Sequence, residues 1–158
     1  MALSDSAIEL DASFPAQPTQ VAAIRRAVCD LAAQCGADAH TLTRLGLAVS
    51  EAATNVVLHA YRSSATSGAI DVSASAASGG FDVCVRDHGV GMSPRSDSPG
   101  LGLGLALMAS ECDRFEVRCA DDGGTEVLLR FELPTRPRPT SKPRFARDVS
   151  GTPARATV

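Results

Sequence analysis

The chain has a single lysine, Lys142. A P-loop needs a lysine inside a GK[ST] turn to reach the terminal phosphates, and a eukaryotic-type protein kinase needs one on a strand. Lys142 lies in a Pro/Arg-rich stretch that fits neither pattern, so both classes are excluded. Disulfide and zinc-knuckle frameworks are missing too, because Cys29, Cys35, Cys84, Cys112 and Cys119 are odd in number and never spaced as CxxC. They read as small apolar residues of a protein kept in a reducing, cytoplasmic setting. No apolar run reaches the roughly eighteen residues of a membrane span, and no basic-then-apolar leader opens the chain. No membrane contact is expected.

At 158 residues, with 44% hydrophobic and 21% charged, the chain is sized for one domain around a single core. From Pro134 onward six basic residues stand against one acidic residue, Asp148, whereas residues 1–133 hold nine basic and seventeen acidic ones. The body is therefore acidic and unsuited to direct nucleic-acid binding. The same shift in composition sets a boundary. Residues 1–134 are expected to fold, and residues 135–158 to form a disordered basic tail rich in Pro and Arg.

The most informative stretch is 45–62, LGLAVSEAATNVVLHAYR. It is proline-free, rich in Ala and Leu, and long enough for roughly five helical turns. Apolar positions 45, 48, 49, 52, 53, 56, 57 and 60 recur at helical spacing and predict a buried stripe. Glu51 and Asn55, four apart, stack on one face beside that stripe, and His59 extends the line. A carboxamide oxygen can ligate magnesium, and the carboxylate beside it can deprotonate a hydroxyl or water. Taken alone, the pair also describes many solvated helix surfaces.

Elsewhere the pattern predicts an edge strand over 8–12, closed by Phe14 and Pro15. A helix over 18–35 has Pro18 in its first turn and Gly36 at its C-cap. Asp38 is the expected N-cap of the central helix, which runs to Tyr61. After a turn at 63–68, residues 69–76 and 81–87 alternate around Ser78-Gly79-Gly80 as a hairpin. Residues 88–100 hold too much Gly, Pro and Ser for regular structure. A helix is expected over 102–110, then a second hairpin over 115–119 and 125–133.

Two glycine motifs carry chemistry. Asp87-His88-Gly89-Val90-Gly91 puts a carboxylate at a strand end, followed by glycines that let the backbone pass close to a flat ligand. Such an acceptor can receive the exocyclic amine of adenine, although a plain turn has the same pattern. Gly100-Leu101-Gly102-Leu103-Gly104-Leu105 opens a helix and exposes N–H groups at its positive end, an anion site that needs no lysine. A dinucleotide fingerprint is a poor match, because the spacing is GxGxG and no strand immediately precedes it. Gly124-Thr125 opens the last strand and can lie beside the same pocket.

The order ExxxN, DxGxG, serine-rich loop, GLGL and GT resembles the GHKL ATPases, and within them the bacterial anti-sigma-factor serine kinases. Residues 48–55 (AVSEAATN) with His59-Ala60-Tyr61, and 102–105 (GLGL) followed by 112–117 (CDRFEV), carry the closer likeness over about residues 8–133. The resemblance implies an α+β fold, a two-layer sandwich with helices on one face of a mixed, mostly antiparallel sheet. It implies ATP and Mg2+ as ligands. Asn55 would ligate magnesium and Glu51 would be the catalytic base. Asp87 would receive the adenine amine, Gly89 and Gly91 would shape its pocket, and Thr125 would line that end. Gly102, Leu103, Gly104 and Leu105 would bring the phosphate-binding amides. The segment 92–99 would be a short lid.

The implied activity is that of a protein serine/threonine kinase acting on an anti-sigma-factor antagonist, with a sigma factor as a further partner and a homodimer as the family's assembly. An ATP-dependent anti-sigma or adaptor module without catalysis is the alternative. A detached histidine-kinase catalytic domain fits less well, because no helix pair carrying a phosphoacceptor histidine precedes residue 18.

Overall fold

The computed structural model describes residues 9–61, 68–90 and 101–134. Of the expected turn at 63–68 only Gly68 is described, and Gly91, the expected lid at 92–99 and the expected tail from residue 135 lie outside the described residues.

Strand β1 (Glu9–Pro15) turns Leu10, Ala12 and Phe14 to one side and leaves the intervening residues exposed. It runs through Phe14 and Pro15 instead of stopping before them. Proline is tolerated there because β1 is an edge strand. A 3-10 turn, Pro18–Gln20, starts on Pro18 and leads into α1 (Val21–Gln34), which buries Ile24, Val28, Leu31 and Ala32. Gly36 stands just past that helix at φ +97°, where a side chain would be strained.

Helix α2 (Ala39–Asn55) is capped as expected, with the Asp38 side chain accepting from the Thr41 N–H at 2.8 Å. Its stripe of Leu45, Ala48, Val49, Ala52 and Ala53 is buried. The expected last turn, to Tyr61, is helical but not α. Residues Val56–Ala60 form a π turn, a form that recurs at functional sites.

Strands β2 (Ala69–Ala77), β3 (Gly80–Asp87), β4 (Arg114–Cys119) and β5 (Thr125–Glu132) complete a sheet of order β1-β2-β3-β5-β4. Every pairing among the described residues is antiparallel. The β2–β3 hairpin turns on Ser78 and Gly79, both at positive φ, a backbone that matches the twist of the strands. Helix α3 (Leu101–Glu111) lies between β3 and β4 in the chain.

Register aligns rows of side chains across the sheet. Ala12, Val72, Val85, Val127 and Val117 stand side by side, as do Leu10, Ala74, Val83, Leu129 and Phe115. These rows meet α1 and α2 in one core, giving the two-layer sandwich with its helices on one face. The other face carries Ser73, Asp82, Arg86, Glu126 and Arg130, tied by ion pairs such as Arg130 to Asp82 at 2.7 Å. A groove of about 600 Å³ crosses that open face past Asp11, Cys84, Arg114 and Leu128. Glu51, Asn55 and Asp87 do not border it.

All five cysteines are free, and burial pushes the Cys112 thiol up to about 12, so it behaves as an apolar group. No helix among the described residues is long and apolar enough to cross a membrane.

Phe81 and Phe131 face each other across β3 and β5, both fully buried. Phe81→Ala is expected to cost about 3–5 kcal/mol, read as a lower urea midpoint. A loss under about 1 kcal/mol would contradict that packing.

Candidate functional site

One core row breaks the apolar rule. Phe14 and Ile70 are followed on the neighbouring strand by Asp87, a carboxylate only 5% exposed. A buried carboxylate is costly unless it is hydrogen-bonded. Here Oδ1 accepts from the N–H of Gly89 at 2.9 Å and of Thr125 at 3.3 Å. Thr125, also buried, thus stands directly beside Asp87.

The backbone around Asp87 is packed so tightly that side chains are excluded. A Cβ on Gly124 would land on the Asp87 carbonyl oxygen, and one on Gly89 would land on the Ala60 carbonyl oxygen. Val90 donates its N–H to that same Ala60 oxygen at 3.3 Å. The π turn that ends α2 therefore abuts the loop that follows β3.

Tyr61 locks this junction, a role that sequence reasoning did not assign. Its hydroxyl donates to the Ala69 carbonyl at 2.6 Å and accepts from the His88 N–H at 2.9 Å. Its ring fills the space where Gly68 would carry a Cβ. The available signals were that it is the sole tyrosine in the chain, at a helix end, and that it belongs to the His59-Ala60-Tyr61 phrase of the family likeness.

Glu51 and Asn55 sit on α2, half-buried as their place beside the stripe predicts. Gly104 of α3 lies against both, because a Cβ there would be 3.1 Å from Glu51 Oε2 and 3.6 Å from Asn55 Nδ2. Glycine lets the two helices meet at that point. Asn55 Nδ2 is buried and, among the described residues, has no hydrogen-bond partner. One polar end of this side chain is therefore left unsatisfied by the described residues of the site.

Gly102 and Gly104 lie inside the first turn of α3 rather than in a loop before it. Leu103 is largely exposed and Leu105 half-buried. Among the described residues the geometry gathers Glu51, Asn55 and Gly104 at one end, and Asp87, Gly89 and Thr125 at the other. The π turn joins the two groups.

A second polar cluster borders the Asp87 end. The His88 ring bridges two carboxylates, Nε2 to Asp71 Oδ2 at 2.6 Å and Nδ1 to Asp122 Oδ2 at 3.1 Å. Those hydrogen bonds raise the His88 pKa above its ordinary value. Asp71 is held below the usual carboxylate range by hydrogen bonds from Ser13 and His88, and Asp122 by one from His88.

A family model described as the histidine kinase-like ATPase domain matches residues 14–131. The chain belongs to that family. It is 29% identical to an anti-sigma F factor of Halalkalibacterium halodurans over 79% of this chain and 92% of that protein. It is 31% identical to the serine-protein kinase RsbW of Bacillus licheniformis over 76% of this chain and 82% of that one. The fold also matches a crystal structure of the RsbU and RsbW domains of a Mycobacterium tuberculosis protein. There the TM-score is 0.62 at 24% identity, over 79% of this chain and 32% of the other. These findings agree with the GHKL resemblance and with the α+β sandwich described above.

Because Gly124 carries the backbone that rests on Asp87, Gly124→Ala has to push the β4–β5 turn away from β3. A loss of about 1–3 kcal/mol is expected, read as a lower thermal midpoint without nucleotide. An unchanged midpoint would show that the contact is looser than described.

Proposed function

We propose that this protein is an ATP- and magnesium-dependent serine/threonine kinase of the anti-sigma-factor type. Its substrate would be an anti-sigma-factor antagonist protein, with a sigma factor as a second partner, a homodimer as its assembly and the cytoplasm as its setting. The observation that carries this reading is the amide of Asn55, which has no partner among the described residues and is buried beside Glu51 at one end of a site whose other end is a buried carboxylate acceptor. Family membership makes ATP the natural ligand for such a site. The relatives of similar length named as anti-sigma factor and serine-protein kinase support the choice of partner class.

In this reading Asp87 Oδ1 is occupied by backbone donors, and Oδ2 accepts the adenine amine. That selects adenine over guanine, which presents an oxygen at the same ring position. Gly89 and Gly124 keep the pocket free of side chains, and Thr125 lines it. At the other end Gly102, Leu103, Gly104 and Leu105 supply backbone amides of the first α3 turn to the phosphates. Asn55 would hold the magnesium through its carboxamide oxygen. When bound, the metal would neutralise charge on the β- and γ-phosphates.

Glu51 then acts on the partner. Its carboxylate takes the proton of the partner's serine hydroxyl as that oxygen attacks the γ-phosphorus. The bond from phosphorus to the β,γ-bridging oxygen breaks, and ADP leaves. The closeness of Gly104 to Glu51 and Asn55 keeps base and metal ligand within one turn of the phosphate-binding amides.

Two substitutions separate binding from chemistry. Asn55→Ala is expected to remove the magnesium dependence of ATP affinity, measured by calorimetry with and without the metal. An unchanged magnesium dependence would end its role as ligand.

Glu51→Gln keeps shape and removes the base. Nucleotide affinity should hold, while phosphate transfer from labelled ATP to a co-purified partner falls by roughly 10²–10⁴. Transfer at the wild-type rate would sink the assignment. If wild type binds ATP yet transfers nothing to its native partner, a non-catalytic ATP-dependent anti-sigma module becomes the better reading.

A further inference from the structure

His88 is not one of the residues assigned to nucleotide or metal, yet it holds together the segments that pin Asp87. Its ring joins Asp71 on β2 to Asp122 in the β4–β5 turn. Its backbone N–H is the one received by Tyr61. The turn that Asp122 anchors leads into Gly124, whose backbone rests on the Asp87 carbonyl, and Thr125, whose N–H binds Asp87 Oδ1. A pull on Asp122 is therefore transmitted within three residues to the carboxylate that the reading above assigns to adenine.

The ring's two partners fix its chemistry. A neutral imidazole has one N–H donor and one lone-pair acceptor, whereas the imidazolium has two donors. Two ionised carboxylates, one on each nitrogen, can both be satisfied only by the imidazolium. When the proton leaves, one carboxylate faces a lone pair at hydrogen-bond distance and is repelled.

Among the described residues, Arg86, Tyr61 and Ser13 are the other polar side chains that meet this cluster. Arg86, on the same strand, reaches Asp122 at 2.8 Å and Glu126 of β5 at 3.3 Å, so it shares one carboxylate with His88 but does not touch Asp71 within an ion-pair distance. Tyr61 meets the backbone, not the ring. Ser13 of β1 hydrogen-bonds Asp71 from the far side.

We infer that His88 is a positioning residue for the adenine end of the site: its protonated ring clasps Asp71 to Asp122 and so holds the Gly124–Thr125 backbone on Asp87, making nucleotide affinity depend on pH. This rests on the ATP-site reading given above.

The direction follows from the two kinds of group. The imidazole, with its folded pKa raised, contributes fully below its ordinary value of 6.5, and that contribution is lost as pH rises through the raised value. Asp71 and Asp122, with folded pKa values lowered, contribute above 3.8 and lose that contribution as pH falls through the lowered values. The clasp is complete between those limits and opens on the alkaline side. All three side chains are partly exposed, His88 at 43%, so solvent screens the effect to a modest size.

The test measures ATP affinity, with magnesium, by calorimetry between pH 5.5 and 9 for wild type and His88→Gln. The variant keeps a donor but cannot take up a proton. The phosphates of the ligand titrate alike in both experiments and cancel in the ratio of affinities. Wild type should bind roughly two- to fivefold tighter than the variant at the acid end, and the ratio should approach one as the imidazole deprotonates. A ratio that stays constant with pH overturns the inference.

A measurement on wild type alone covers the case of a variant that does not fold. Linkage is reciprocal, so a nucleoside that binds better to the protonated form must raise the midpoint of the His88 imidazole titration, followed by NMR. Saturating adenosine, which has no phosphates to act through their charge, should move that midpoint upward. No movement, or a free-protein midpoint at or below the ordinary 6.5, also overturns it. Failure of wild type to bind ATP at any pH is a different result, because it removes the kinase reading itself and the inference with it.

Discussion

A carboxylate placed in the core row of a β-sheet can persist only if the surrounding backbone satisfies it, and much of the geometry of this molecule follows from that requirement. Asp87 occupies the position after Phe14 and Ile70 in an otherwise apolar row. Its oxygen is met by amides from its own loop and from the start of β5. A side chain on Gly124 would collide with the Asp87 carbonyl, and one on Gly89 with the Ala60 carbonyl. Gly124 clears the contact between the start of β5 and Asp87, which the strand order β3-β5 brings together, and Gly89 clears the contact with Ala60.

Helix α2 is the second constraint, because it serves the core and the site with adjacent stripes. Leu45, Ala48, Val49, Ala52 and Ala53 fix its rotation against the sheet. That rotation leaves Glu51 and Asn55 half-buried and facing α3, where Gly104 is small enough to let the helices meet. The π turn that follows directs the Ala60 carbonyl toward Val90 and brings Tyr61 to both Ala69 and His88. Core packing, helix ending and the Asp87 pocket are thus one connected arrangement. A change of register in α2 would disturb both ends of the site together.

The strands and helices were largely legible because burial imposes periodicity, and periodicity survives in the sequence. The capping of α2 by Asp38 and the Ser78-Gly79 turn were legible because each needs particular residue types at one place. The extension of β1 through Pro15 was not, since an edge strand tolerates a proline that an isolated strand pattern counts as a stop. Nor was the π turn, whose residues Val56–Ala60 continue the apolar spacing of an α-helix. The Tyr61 hydroxyl bridge and the His88 clasp join residues far apart in sequence, and their residue types carry no spacing that announces the contact.

By itself the sequence determined the α+β class, the rotation of α2, and the residue types Glu51, Asn55 and Asp87 on which the proposed nucleotide and metal site rests. Local rules suffice for these, because a side chain's chemistry and its place in a helical or strand repeat are set within a few residues. Only the tertiary structure decided which of those residues meet. It set Gly104 against Glu51 and Asn55, and Gly124 and Thr125 against Asp87, and it left the Asn55 amide buried without a partner among the described residues. Such contacts depend on strand order and helix crossing, which are decided by the packing of the whole core and not by any short stretch of chain.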